Sequence, residues 1–138
     1  MKADQEFFSA TLSDSLSRGE SVLLRVQGVS MLPWLREGDK VRILPAAGRR
    51  LRRGDIALFW RAPNRPILHR VVRVFRAQGV CDCLGDSESG EPERVPVSTV
   101  IGIVETSALC RAMYVVLSPA RRRFNRFCLN RGIRLRHG

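Results

Sequence analysis

The chain has 138 residues, enough for one domain with a buried core, and its 44% hydrophobic and 27% charged content excludes a disordered polypeptide. The formal net charge is +11, carried almost wholly by arginine, since Lys2 and Lys40 are the only lysines. No window approaches the roughly 20 apolar residues that span a bilayer, and Asp4, Glu6 and Asp14 break any secretory signal pattern near the start.

Residues 3–18 set Phe7, Phe8, Thr11, Leu12, Ser15 and Leu16 on one helical stripe, with Gly19 as the stop. This predicts a short N-terminal helix that covers an edge of the domain. From Ser21 the pattern is that of short strands. "SVLLRVQG" and "DKVRILP" are two strands, and the basic loop "AAGRRLRRGD" follows. "IALFW" and "PILHRVVRVF" come next, parted by the turn-rich "RAPNRP"; then "GVCDCLGD", and "VPVSTVIGIVE" as the last strand. Short strands punctuated by Gly, Pro and Asp predict a mainly β domain over 21–105, a small antiparallel barrel or folded sheet. Residues 1–20 are its helical lead, and 106–138 a basic C-terminal helical extension. In that extension Ser118 and Pro119 mark a helix start and Gly132 its end, with Phe124, Phe127 and Cys128 on one face and arginines on the other.

Cys81, Cys83, Cys110 and Cys128 form no C-x-x-C pair, so reduced, buried thiols are expected rather than a metal site, and no cofactor is implied.

"GVSMLP" places Ser30 in a Gly- and Pro-bounded turn just after an apolar strand. A serine that hydrolyses an amide needs a base, a group to orient the base, and donors for the oxyanion. Arginine cannot lose its proton. Lys40 sits in a polar, charged context that offers no desolvation, which argues against a Ser–Lys dyad. His69, in the apolar "PILHRVVRV", is the remaining internal candidate.

Six segments in order resemble one family. "GVSMLP" is similar to the Gly-x-Ser-Met-x-Pro nucleophile box of type I signal peptidases, and "ILHRVVRV" resembles the box holding the histidine base in their endoplasmic-reticulum and archaeal branch. "EGDKVRI", "LRRGDIALF", "CLGDSES" and "VIGIV" resemble the remaining elements, so the likeness covers residues 26–104. It implies the signal peptidase catalytic fold and a serine endopeptidase that removes a signal or leader peptide from a precursor, with small residues first and third before the cut. Ser30 would be the nucleophile and His69 the general base. Asp86 would be the orienting acid, with Glu91 as the alternative. Gly28, Ser30, Met31 and Pro33 would form the nucleophile turn, the Ser30 amide serving as oxyanion donor.

The chain departs from that family in carrying no transmembrane segment. It is therefore expected in the cytoplasm or on a membrane periphery, where tail arginines would meet anionic lipid. Trp34 and Leu35 are either a cleft wall or core. The alternative reading is a non-catalytic module that binds peptide or nucleic acid. Nucleic acid is disfavoured, because no aromatic residues alternate with the arginines and no helix-turn-helix pattern occurs.

Overall fold

A computed structural model describes residues 2–107 and 110–117. The helix α1 (Lys2–Ser17) leads into seven strands: β1 (Val22–Arg25), β2 (Lys40–Pro45), β3 (Ile56–Ala62), β4 (Arg65–Phe75), β5 (Val80–Leu84), β6 (Glu93–Pro96) and β7 (Val100–Val104). They form one sheet in the order β1-β2-β7-β3-β4-β5-β6, with every neighbouring pair antiparallel. The protein is thus mainly β, as the strand pattern predicts. Of the two expected forms, the sheet is open: β1 and β6 are its edges, and it does not close into a barrel.

Gly19 ends α1 with a positive φ of 81°, while Gly19 and Glu20 donate back to Leu16 and Ser15. The face α1 buries is narrower than the expected stripe. Leu12 and Leu16 enter the core with the Ser9 hydroxyl beside them, whereas Thr11 and Phe8 stay exposed.

Ile56, Ala57, Leu58 and Phe59 of β3 are all buried, because both faces of that strand are covered. Ile56 and Leu58 join Leu12, Leu16, Met31 and Ile43 in one core. Ala57 and Phe59 join Val71, Cys81, Cys83 and Val95 in a second. Alternation along a strand therefore sorts one segment between two cores. Gly102 of β7 makes the close packing possible: a Cβ there would stand 2.3 Å from Ile43 Cγ2.

The last predicted strand is in fact two. A single 3₁₀ turn, Val97–Thr99, divides β6 from β7, and Thr99 Oγ1 donates to the Pro96 carbonyl across it. β6 then pairs with β5, while β7 crosses the sheet to lie between β2 and β3. A helical segment at 110–117 falls within the C-terminal region expected to be helical, but ahead of the start expected at Ser118. Ahead of it the Ser107 hydroxyl accepts from the Cys110 amide, a capping contact. Cys110 is exposed, unlike the buried Cys81 and Cys83. The basic helix expected from Ser118 to Gly132, and Cys128 with it, lies outside the described residues.

Candidate active site

Ser30 sits on an excursion between β1 and β2 that is closed at its base. Val26 donates to Asp39, and Gly38 donates back to Val26. Within the excursion Gly28 adopts a positive φ of 79°, Leu35 donates to the Met31 carbonyl, and the Leu32–Pro33 peptide bond is cis. Met31 is buried in the first core and ties the turn to the sheet, while Pro33 stays exposed. Asp39 accepts from the Arg36 amide and Asp55 from the Arg52 amide, the local backbone role of turn aspartates.

The loop from β5 to β6 packs directly on this turn. Ser87 donates through its amide to the Ser30 carbonyl at 2.9 Å and through its hydroxyl to the Val29 carbonyl at 3.0 Å. Gly85 allows the approach, since a Cβ there would lie 2.7 Å from the Ser30 carbonyl oxygen. That same point is 3.1 Å from Ser30 Cβ and 3.0 Å from Glu88 Cδ, so the serine and this carboxylate are near neighbours.

His69, on β4 opposite Ala57 of β3, is buried, with its ring edge-on to Phe59. Glu88 Oε1 lies 3.7 Å from its Nε2. Glu88 Oε2 meanwhile accepts from the Gly85 amide, which aims the carboxylate. Burial pushes the imidazole below its ordinary pKa, and the nearby Glu88 opposes that shift in part. The ring is therefore neutral at pH 7, the form a general base requires. Nδ1 is buried and has no hydrogen-bond partner among the described residues.

Ser30, His69 and Glu88 open onto one groove of about 670 Å³. Its walls are mixed: Phe8, Leu24, Val26, Leu58, Ile67 and Leu68 give apolar surface, and Arg25, Arg61, Asn64 and Arg65 add polar and basic groups. No hydrogen bond joins Ser30 to His69 here, and neither the hydroxyl nor the amide of Ser30 has a partner among the described residues.

Two expected acids lie elsewhere. Both oxygens of Asp86 are engaged by Arg70, at 2.7 and 3.2 Å, in a pair whose side chains are 3% and 0% exposed. Arg70 also donates to the Gly54 carbonyl and lies between the rings of Tyr114 and Trp34. Through Arg70 the Asp86 carboxylate thus ties the loop to β4, the Ser30 turn and the helical segment. Glu91 opens on a different recess, among Arg52, Arg53 and Arg73. Trp34 stacks on Arg70 and Leu35 packs on the first core, so neither walls the groove. Glu88 is the residue that sequence reasoning passed over, because in "GDSESGEPE" it is one carboxylate among several.

No protein-family model matches the chain, and no curated protein matches it in sequence. Among the described residues no helix is long and apolar enough to cross a membrane.

Two results follow from this geometry. Asp86→Asn leaves the buried Arg70 without its counter-charge, so stability in chemical denaturation should fall on the order of 3 kcal/mol. In an NMR titration His69 should titrate below 6.5, and Glu88→Gln should lower its pKa further, because the carboxylate that favours the imidazolium is gone.

Proposed function

We propose that the chain is a serine endopeptidase of the signal peptidase type, cutting a leader from a precursor protein. One observation carries this reading: Ser30, with its hydroxyl and amide free of described partners, opens on the same groove as a buried, neutral histidine. The six-segment likeness in the sequence supports it independently.

In this mechanism His69 takes the Ser30 Oγ proton as the oxygen attacks the scissile carbonyl. The Ser30 amide donates to the oxyanion. Glu88 stabilises the imidazolium that forms, which then protonates the leaving amine. A water, deprotonated by His69, hydrolyses the acyl-enzyme and restores the serine.

The groove also fits an extended chain. Among the described residues β1 pairs only with β2, which leaves its other edge without a strand partner there, and residues 65–69 of β4 have β3 on one side but precede the pairing with β5. A peptide laid between these edges would bind through its backbone, with side chains alternating into the apolar parts of the walls. Small residues first and third before the cut are the preference that the family likeness carries.

The test is cleavage of a peptide bearing alanines before the scissile bond. Ser30→Ala and His69→Ala should each lose nearly all turnover, by about 10³-fold or more. The rate should also fall as the pH drops below 6.5 through the lowered pKa of His69, because protonation removes the base. Equal turnover by the parent chain and both variants would overturn the assignment.

A further inference from the structure

The basic loop before β3 has no part in this chemistry, yet it borders a second recess. Four arginines, Arg52, Arg53, Arg73 and Arg76, are among the residues that line a basin of about 470 Å³. Arg52 and Arg53 are exposed, and their side chains make no hydrogen bond or ion pair among the described residues. The loop is nevertheless held in place. Its backbone is pinned by Asp55, Leu51 is buried, and Arg76 donates to the Leu51 carbonyl at 2.9 Å. Two cations are thus presented on a fixed support.

The other walls say what kind of anion fits. Val72, Val74 and Pro92 add apolar surface, and β4 is bulged between Val71 and Arg73. Asp82 and Glu91 also face the basin; Asp82 is engaged by Arg94 at 2.9 Å. A continuous phosphate array, as in a lipid surface or a nucleic acid, would press phosphates against Glu91 and gain nothing from the valines. Separate carboxylates spaced by apolar side chains match the mixture, each able to take a guanidinium fork.

Position supports a peptide too. β4 carries His69 at the groove and Arg73 at the basin, four residues or about 13 Å apart along one strand. A chain lying in the groove could reach the basin with a handful of extended residues. We propose that this basin is a second binding site, which takes an acidic segment of the precursor away from the scissile bond. Naming the precursor rests on the peptidase reading; the binding of an acidic peptide does not.

The two are separable by experiment. A fluorescent peptide carrying alternating Glu and Val beyond an alanine-rich cleavage segment would be titrated against the Ser30→Ala chain, with fluorescence anisotropy as the readout. A matched peptide with Lys in place of Glu, vesicles rich in phosphatidylglycerol, and duplex DNA complete the set. The acidic peptide should bind at least about tenfold more tightly than its Lys counterpart. Arg52→Glu with Arg53→Glu should remove that advantage, with an unchanged melting transition because both side chains lie at the surface. In the catalytically intact chain the double substitution should raise KM for the acidic substrate with kcat unchanged, and leave a short substrate lacking the acidic segment unaffected. Arg-dependent binding of the acidic peptide without any cleavage would uphold the basin and remove the peptidase. Equal affinity for the Glu and Lys peptides, or indifference to the double substitution, would overturn the proposal. So would Arg-dependent binding to vesicles or DNA with none to the peptide.

Discussion

The site depends on one contact: the seating of the β5–β6 loop on the turn that carries Ser30. Two hydrogen bonds from Ser87 and the bare α-carbon of Gly85 bring two distant parts of the chain together at van der Waals distance. Without that contact Glu88 would have no reason to stand beside His69, and the turn carrying Ser30 would lean on solvent. The contact is backed by a buried ion pair. Arg70 follows His69 directly on β4, so the pairing that holds Asp86 also fixes the strand bearing the imidazole. A buried charge pair contributes little net stability compared with an apolar replacement, but it specifies geometry, because either member alone is costly.

This division of labour accounts for the electrostatics. Two carboxylates of one short loop occupy opposite environments. Asp86 is sealed against a guanidinium between two aromatic rings, and Glu88 stays partly exposed at the groove. The sealed one builds the scaffold. The open one acts on the imidazole from 3.7 Å, close enough to favour a transient positive charge and too far for a hydrogen bond. Burial meanwhile keeps the resting ring neutral. A base that is neutral at rest and supported once charged is what proton transfer from a hydroxyl requires.

Much of the scaffold was legible in the sequence, because alternation and turn residues report local geometry. "IALF" and "VIGIV" read as strands since their apolar side chains must be buried, and Gly19 read as a helix stop since it takes a left-handed conformation. What failed was local signal overridden by context. "VPVSTVIGIVE" has strand-forming residues throughout, yet a 3₁₀ turn at Val97–Thr99 sends its halves to opposite parts of the sheet. The early start of the helical segment at 110–117 hides behind Tyr114, Val115 and Val116, residues that favour strands, and its capping serine gave the one local clue. The acid near His69 was illegible for a different reason. Choosing Glu88 over Asp86 or Glu91 requires knowing that Asp86 is taken up by Arg70 of β4 while Glu88 faces His69, and that is fixed by tertiary packing.

The central claim is that a hydroxyl and an imidazole act on one carbonyl at the mouth of this groove. A crystal structure with a peptide aldehyde ending in alanine addresses it most directly. The account predicts a hemiacetal on Ser30 Oγ, with the new oxygen at the Ser30 amide and His69 Nε2 within hydrogen-bond distance of the adduct. An aldehyde bound elsewhere, or joined to Ser30 with the His69 ring out of reach, would contradict it.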